Sequence, residues 1–447
     1  MDAVTAYILA GALILTWIVA VYYLFKKWSG RKALEARGLS LYGPFVMWRT
    51  VKGRSLIEKV ASKRRFWEIY GDLAIALAAV AAIVMLSMLL WQTWLVPRIP
   101  KASAPTPDLL LGLPGINKFI PIGYGILGLA VAIIVHEAAH GILMRASGFK
   151  LKTLGLLMFI VPMGAFAEPD ERELSEGARR KRMRVYAGGP AANLVVALVC
   201  ALVFTMVMVP SVHEAHSGIG VFNVSSGTPA DGNISVGSII YSFNGTSVAN
   251  YSDFSSSIAK TQANQTVAIG VFTHGSEHTI NVKLSDRGAY VSDAASKGKG
   301  YLGVSAASVS TARFHPIARA SSIDSLFNNA LTFITLPVSG FSPVQGPIMD
   351  FYTVNGMDAG TFWLLANAVY WIFWLNLMVG LTNVLPAIPL DGGFIFKDYM
   401  EKLLEKVGVK GGVKAEQVKL ADKVVLAMSV LMLFLIIWPL IGPRILN

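Results

Sequence analysis

Six apolar stretches of about 20 residues constrain the fold of this 447-residue chain more than any other feature. Each is long enough to cross the ~30 Å hydrocarbon core of a bilayer as a helix. They cover residues 4–25, 73–96, 121–145, 187–210, 361–385 and 422–441. Hydrophobic residues make up 54% of the chain and charged residues only 15%, which excludes an ordinary soluble protein. The sequence predicts a polytopic α-helical membrane protein with about six transmembrane helices.

Lysine and arginine are distributed unequally between the connecting segments. Residues 26–65 hold twelve of them and residues 145–184 hold nine, whereas residues 211–360 hold only seven. Because basic residues concentrate on the cytoplasmic side, we expect these two loops and the lysine-rich residues 397–419 inside. The N-terminus, residues 211–360 and the C-terminus are expected outside. The first stretch has no basic leader, which favours a retained anchor over a cleaved signal peptide. The pattern predicts a multi-pass protein of the cell membrane. Its net charge of +12 comes mostly from cytoplasmic loops next to the anionic headgroups of the lipid bilayer, so no nucleic-acid partner is expected.

Residues 217–307 predict a small β-rich domain on the outer side. Runs such as GIGVFNV, GSIIYSFNG and TVAIGVFTHG are bounded by turn-forming residues, with a helix-like YSDFSSSIAK between them. The domain resembles a PDZ domain, which implies binding of an extended peptide or a protein C-terminus at a sheet edge. The alternative is a β-domain that only spaces or caps the membrane part. Five N-x-S/T sequons agree with an outside location and begin at Asn223, Asn233, Asn244, Asn250 and Asn264.

The segment AIIVHEAAHGILM, residues 132–144, places ionisable side chains inside the third apolar stretch. His136 and His140 are four positions apart, so both project from one face of a helix and can share a metal ion. Glu137 lies beside them and is the candidate general base. H-E-x-x-H on a helix indicates zinc, and it predicts peptide-bond hydrolysis with one Zn2+ per chain. The alternative is a set of polar residues that hydrogen bond to neighbouring helices.

Two histidines need a third protein ligand, which a carboxylate commonly supplies in zinc sites. Asp391 is the best candidate because it lies in NVLPAIPLDGG, residues 383–393, where prolines and glycines interrupt a helix. A further motif, AGGPAANLVVA at residues 187–197, puts Asn193 near the start of the fourth stretch. In the expected orientation all three motifs reach the cytoplasmic half of the bilayer.

At these motifs the chain resembles the site-2 proteases, a family of intramembrane zinc metalloproteases. HEAAHG resembles the first motif of the family, GGPAAN the second and NVLPAIPLDGG the third. The resemblance implies that His136, His140 and Asp391 bind zinc. It also implies that Glu137 is the catalytic base.

The same resemblance implies supporting residues. Asn193 and Asn383 match motif asparagines that help to hold the substrate or the unwound loop. The stretch VPMGAFAEPDE, residues 161–171, resembles a membrane-associated hairpin whose edge could take up substrate as a strand. Gly164 and Phe166 lie in it and are candidates for substrate binding or structural support.

The predicted function is hydrolysis of peptide bonds within transmembrane segments of substrate proteins, near the cytoplasmic side, as a step of regulated intramembrane proteolysis. A zincin that cuts at the membrane surface and a non-catalytic PDZ-bearing membrane adaptor are the alternatives. The predicted segments are residues 1–120, two transmembrane helices with a basic loop; 121–210, the first half of the catalytic core; 217–307, the PDZ-like domain; 308–360, an interfacial linker; and 361–447, the second half of the core with the last transmembrane helix.

Overall fold

A computed structural model describes residues 12, 15–23, 31–42, 45–101, 104–110, 112–159, 161–291, 296–316, 321–407 and 414–446. The chain forms two compact units. The first unit combines Met1–Gly112, Ile126–Ala197 and Leu375–Asn447. The second combines Leu113–Gly125 with Leu198–Trp374. The first unit is therefore assembled from three separate parts of the sequence.

Five helical segments in the described part of the chain are long and apolar enough to cross a membrane. They are Arg64–Arg98, Ile122–Ala146, Arg179–Ser211, Ala359–Asn383 and Val418–Leu446. Each coincides with one predicted apolar stretch, so five of the six predicted spans are present as helices. The remaining stretch, residues 4–25, lies mostly outside the described residues, although residues 15–23 are helical.

The α-helices, numbered in chain order, are α1 Arg31–Ala36, α2 Arg54–Ala61, α3 Arg64–Leu95, α4 Ile122–Ala146, α5 Glu171–Glu176, α6 Arg179–Leu202, α7 Tyr251–Ala259, α8 Ile323–Ile334, α9 Ala359–Asn383, α10 Asp391–Val407 and α11 Lys414–Leu446. A long apolar run forms a helix in lipid because the helix pairs its own backbone groups. After Leu202, the chain of α6 continues as a π-helix over Val203–Met208 and then as a 3-10 turn over Val209–Ser211. The carboxylate of Asp170 starts α5 by accepting hydrogen bonds from the N–H groups of Arg172 and Glu173.

A four-stranded antiparallel sheet belongs to the first unit, in the order β1-β2-β3-β4. Its strands are β1 Leu39–Tyr42, β2 Phe45–Thr50, β3 Leu151–Phe159 and β4 Val161–Pro169. The sequence predicted a hairpin within residues 161–171, but this stretch forms only β4 and the start of α5, and β3 is the other arm of the hairpin. β1 and β2 come from the first basic loop, to which the sequence assigned no structure. Among the described strands, β4 is an outer edge of the sheet.

Arginines in the first turns of α6 join it to two other helices of the first unit. Arg180 and Arg184 each make two hydrogen bonds to the carboxylate of Asp72 in α3. Arg182 binds Asp398 of α10, whose side chain is only 5% exposed. Because a buried carboxylate is costly without a partner, this ion pair contributes to the position of α10.

The second unit contains the β-rich domain. Its main sheet has the order β10-β9-β7-β6-β13, with β8 paired to β7. The strands are β6 Ile219–Val224, β7 Ile239–Phe243, β8 Thr246–Ser247, β9 Thr266–Thr273, β10 Ser276–Lys283 and β13 Val304–Ser308. Two short pairs join β5 Val212–Glu214 to β14 Tyr352–Val354 and β11 Ser285–Asp286 to β12 Gly300–Tyr301. Alternate residues of β9, Val267, Ile269 and Val271, are buried, as expected for a half-buried strand. The strands and the helix α7 that the sequence predicted are confirmed.

Candidate metal centre

α4 carries both histidines of the HEAAH segment on one buried face. His136 and His140 are 7% and 8% exposed, and their Nε2 atoms are 3.0 Å apart. Nδ1 of His140 lies 2.8 Å from the carbonyl oxygen of Val185 in α6. Because a carbonyl oxygen only accepts, Nδ1 carries the proton, and neutral His140 keeps a lone pair on Nε2. His140 is therefore oriented to bind a metal ion through Nε2.

Asp391 completes a group of three ligand atoms in the first unit. Its Oδ2 lies 3.0 Å from Nε2 of His136 and 3.3 Å from Nε2 of His140. Three ligands of a tetrahedral zinc ion, each ~2.0–2.1 Å from it, would be ~3.3 Å apart. Among the described residues, neither Oδ2 of Asp391 nor Nδ1 of His136 has a hydrogen-bond partner of good geometry. Two imidazoles and a carboxylate in this triangle fit a zinc ion with an open fourth position.

The chain before α10 turns tightly so that Asp391 can face the histidines. A Cβ atom on Gly392 would overlap the carbonyl of Val384, and one on Gly393 would lie 2.5 Å from the carbonyl carbon of Ala387. Glycine is therefore required at both positions. As the first residue of α10, Asp391 also places its negative charge at the positive end of that helix.

Glu137 faces the sheet. Its Oε2 accepts a hydrogen bond of 3.0 Å from the backbone N–H of Ala167 in β4. Because β3 pairs with the other side of β4, this N–H belongs to the open edge of the sheet. Ala165 directs its backbone N–H and C=O to the same edge, since alternate residues of a strand face the same side. The candidate base is therefore next to a strand edge with which no described strand pairs.

α6 approaches the histidines at Gly189. A Cβ atom there would lie 2.5 Å from Nε2 of His140 and 2.7 Å from Nε2 of His136. Asn193 follows one turn later on the same face, is fully buried, and has no hydrogen-bond partner for its carboxamide among the described residues. Sequence reasoning selected Asn193 and missed Gly189. The available signal was a glycine pair inside a helix, where glycine is unfavourable unless close packing requires it.

The other predicted supporting residues lie at the end of α9 and in β4. The carboxamide of Asn383 donates a hydrogen bond of 3.0 Å to the carbonyl of Val379 in its own helix. Gly164 and Phe166 belong to β4, and the ring of Phe166 packs across Gly155 of β3. These contacts stabilise the helix end and the sheet.

Comparison with known proteins identifies the family. The profile of Peptidase family M50 matches residues 124–432, more than half of the chain. The chain belongs to this family. The matched range includes the motifs at His136, Asn193 and Asp391, and the resemblance to site-2 proteases is confirmed.

Two relatives are similar to this chain over most of their own length. An uncharacterised protein of Methanocaldococcus jannaschii is 26% identical over 393 residues, which cover 87% of this chain and 86% of that protein. A protein of Clostridium acetobutylicum whose name proposes a zinc metalloprotease is 23% identical over 311 residues, which cover 62% of this chain and 86% of that protein. With the apolar helices and the group of potential metal ligands, membership of family M50 supports a membrane metalloprotease that uses zinc.

Proposed function

We propose that this chain is an intramembrane zinc metalloprotease that hydrolyses peptide bonds within transmembrane segments of other membrane proteins. The proposal depends mainly on one observation: the triangle formed by His136, His140 and Asp391 has Glu137 beside it, next to an open strand edge. The process would be regulated intramembrane proteolysis, in which a first cut trims the substrate before this enzyme acts.

The chemistry divides between metal ligands and a base. His136, His140 and Asp391 would hold one zinc ion per chain. Bound zinc would supply a Lewis acid that activates a water molecule and polarises the scissile carbonyl. Glu137 takes the proton of that water and transfers it to the leaving amine, because a carboxylate can accept and then donate a proton. The N–H of Ala167 holds Oε2 of Glu137, and Oε1 would carry out this transfer.

The open edge of β4 is the proposed binding site for the unwound substrate. A helical substrate hides its carbonyl groups in hydrogen bonds, and unpaired backbone in hydrocarbon is costly. Pairing with the edge at Ala165 would satisfy this backbone by strand addition. The buried carboxamide of Asn193 would supply a further hydrogen-bonding group. We assign structural roles to Asn383 at the end of α9 and to Gly164 and Phe166 in β4.

The β-rich domain is proposed to be PDZ-like. A groove of about 250 Å³ lies between α7 and residues 300–304. Apolar side chains line it, including those of Phe254 and Ile258, together with the basic side chains of Arg287 and Lys299. Such a groove suits the side chain and the carboxylate of a peptide C-terminus outside the cytoplasm.

Charge distribution supports one orientation in the cell membrane. We place the N-terminus, the β-rich domain and the C-terminus outside, and the basic loops inside against the lipid headgroups.

The alternative functions differ from the proposed one in the chemistry that they require. A membrane-surface zincin takes its third ligand from a glutamate of a later helix, and an adaptor without activity requires no zinc.

Metal analysis and mapping of cleavage products test the proposal. We expect one zinc per purified chain in the wild type and in Glu137→Gln, and less in Asp391→Ala, since only two imidazoles remain. In cells, new peptide ends within apolar segments of membrane proteins should depend on the wild-type enzyme and disappear with Glu137→Gln. Wild-type protein without zinc, or equal cleavage by Glu137→Gln, would overturn the assignment.

A further inference from the structure

The segment between the β-rich domain and α9 has contacts that proteolysis does not explain. It contains α8, a turn at residues 335–340 and a return at residues 341–345, all within the second unit. Polar side chains of α9 bind the backbone of this segment. The segment therefore packs along a membrane-spanning helix.

Two of these side chains bind the last turn of α8. The hydroxyl of Tyr370 donates a hydrogen bond of 2.7 Å to the carbonyl of Phe333, and the indole N–H of Trp374 donates one of 3.0 Å to the carbonyl of Ile334. The last four carbonyl groups of a helix have no partner within it. α9 satisfies two of them in α8.

A third side chain of α9 binds the returning chain. The carboxamide of Asn367 accepts a hydrogen bond of 3.0 Å from the N–H of Val344 and donates one of 2.9 Å to its carbonyl. Asn367, Tyr370 and Trp374 follow a spacing of three and four, so they form one stripe on α9. Polar groups within a membrane helix are costly unless they are paired. Here each is paired with the backbone between residues 333 and 344.

Position along α9 gives the depth of these contacts. From Ala359, the first residue of α9, Asn367 is ~12 Å along the axis, Tyr370 ~17 Å and Trp374 ~23 Å. The hydrocarbon core is ~30 Å thick. α8 has 12 residues and is therefore ~18 Å long, which matches the distance from Ala359 to Tyr370. A helix that starts at the level of Ala359 would thus end near the middle of the bilayer.

The chain that follows the segment returns to the level at which two of the apolar helices end. β14 pairs with β5, which begins directly after Ser211, the end of another span. β14 also precedes Ala359 by only a few residues. Across the turn, the N–H of Phe341 binds the carbonyl of Leu336 at 3.0 Å. Irregular backbone is tolerated at membrane depth where protein groups satisfy it in this way.

α8 exposes two flanks of opposite character. The apolar flank consists of Ile323, Leu326 and Phe327, which are 86%, 41% and 54% exposed, and the turn adds Val338 at 62%. The polar flank consists of the exposed residues Asp324, Asn328 and Thr332, spaced four apart. Hydrocarbon around the polar flank would be costly, and water around the apolar flank would be unfavourable.

We propose that residues 322–344 form a re-entrant membrane element. Its apolar flank contacts lipid acyl chains, and its polar flank lines a water-filled recess. Lipid is the occupant because the contacts with Tyr370 and Trp374 place the apolar flank at hydrocarbon depth. The element thus reaches deeper than the interfacial linker expected from the sequence, and it does not depend on the proteolytic activity.

Adjacent residues of α8 allow a sharp test. In a Cys200→Ala background, single cysteines replace Phe327, Asn328 or Val338, and each carries a spin label in phosphatidylcholine–phosphatidylglycerol liposomes. Accessibility to oxygen, which concentrates in hydrocarbon, is compared with accessibility to a water-soluble nickel chelate. Ser256→Cys on the β-rich domain is the aqueous control, and Leu433→Cys near the middle of α11 is the lipid control.

We expect labels at positions 327 and 338 to match the lipid control and the label at position 328 to match the aqueous control. Equal accessibility to the nickel chelate at positions 327 and 328 would place α8 on the membrane surface and overturn the proposal. If oxygen reached both labels equally and the nickel chelate reached neither, both flanks would face hydrocarbon, and the water-filled recess would be excluded. Protection from both reagents at position 327 would indicate a protein partner, such as a second copy, and would also overturn it.

Discussion

A Cβ atom at Gly189 would lie 2.5 Å from Nε2 of His140 and 2.7 Å from Nε2 of His136. We expect Gly189→Ala to lower zinc affinity by about 10- to 100-fold, as changes next to metal ligands commonly do. The reason is steric, because a methyl group would displace Nε2 of His136 and His140. Zinc content after dialysis against a chelator of known affinity measures the effect.

A matched control separates this effect from the general cost of changing a helical glycine. Gly123 also lies in a membrane-spanning helix, but a Cβ atom there would meet no heavy atom within 4 Å. Gly123→Ala should therefore retain full zinc affinity. Unchanged zinc binding in Gly189→Ala would show that the histidines can move away, and the close approach would lose its significance.

Side-chain chemistry could be predicted from the sequence, whereas backbone partners could not. His136 and Glu137 were selected because their spacing in a helix has chemical meaning, and Asp391 because prolines and glycines surround it. Val185 contributes only its backbone carbonyl, and Ala167 contributes only its backbone N–H. Every residue type has both groups except proline, which lacks the N–H. No sequence pattern therefore distinguishes them from their neighbours.

The open edge of β4 gives a test of substrate binding at the level of one strand. Ala165→Pro removes an N–H from that edge, and pairing with β3 should persist because the lost donor faces the other way. We expect kcat/KM for a transmembrane substrate to fall about three- to tenfold, the worth of one hydrogen bond. Zinc content should not change. Ala165→Ser keeps the N–H and is the control, and equal rates for the two variants would argue against strand addition.

The ion pair between α6 and α10 predicts a large stability effect. Arg182→Leu leaves the buried carboxylate of Asp398 unpaired, which costs about 3–5 kcal/mol, and thermal unfolding in detergent measures it. The double variant Arg182→Leu with Asp398→Leu should recover most of the loss. Arg172→Leu is the control, because Arg172 and Glu176 form an exposed pair worth at most about 0.5 kcal/mol. If the single and double variants were equally unstable, the pair would not position α10.

Local elements were predictable from the sequence, but their partners were not. Apolar runs and alternation identified five spans, the strands of the β-rich domain and α7, since these signals depend on nearby residues. β2 pairs with β3 through contacts such as Trp48 with Leu156, more than 100 positions apart. Pairing at that separation has no local signature. The sheet at the candidate site consequently emerged only from the structure.

At the scale of the whole molecule, the β-rich domain can be removed cleanly. Ile219 and Ser308 are partners across β6 and β13, so the ends of the domain are ~5 Å apart, and a short Gly-Ser linker can replace it. We expect this deletion to permit cleavage of substrates whose outer domains are untrimmed, because we propose that the domain, which lies between the HEAAH and LDGG motifs in the sequence, excludes bulky substrates. Cleavage of trimmed and untrimmed substrates in liposomes is the measurement.

Arg287→Glu provides the matching control for the deletion. It keeps the domain but reverses one charge in the groove, so it should alter peptide binding while leaving exclusion by size intact. A deletion variant that still rejects untrimmed substrates would make the domain a docking or structural module instead.

The position of the cut follows from where the candidate centre lies along its span. His140 is five residues before Arg145, or ~7.5 Å along α4, and basic residues mark the cytoplasmic interface. We therefore expect cleavage in the cytoplasmic half of the substrate helix. Because the substrate must unwind there, Gly, Asn or Pro in that half should accelerate cleavage, and a poly-Leu replacement should slow it. Mass spectrometry of the products locates the cut. Cleavage in the outer half would contradict the orientation, and rates that ignore helix breakers would contradict binding of an unwound strand at β4.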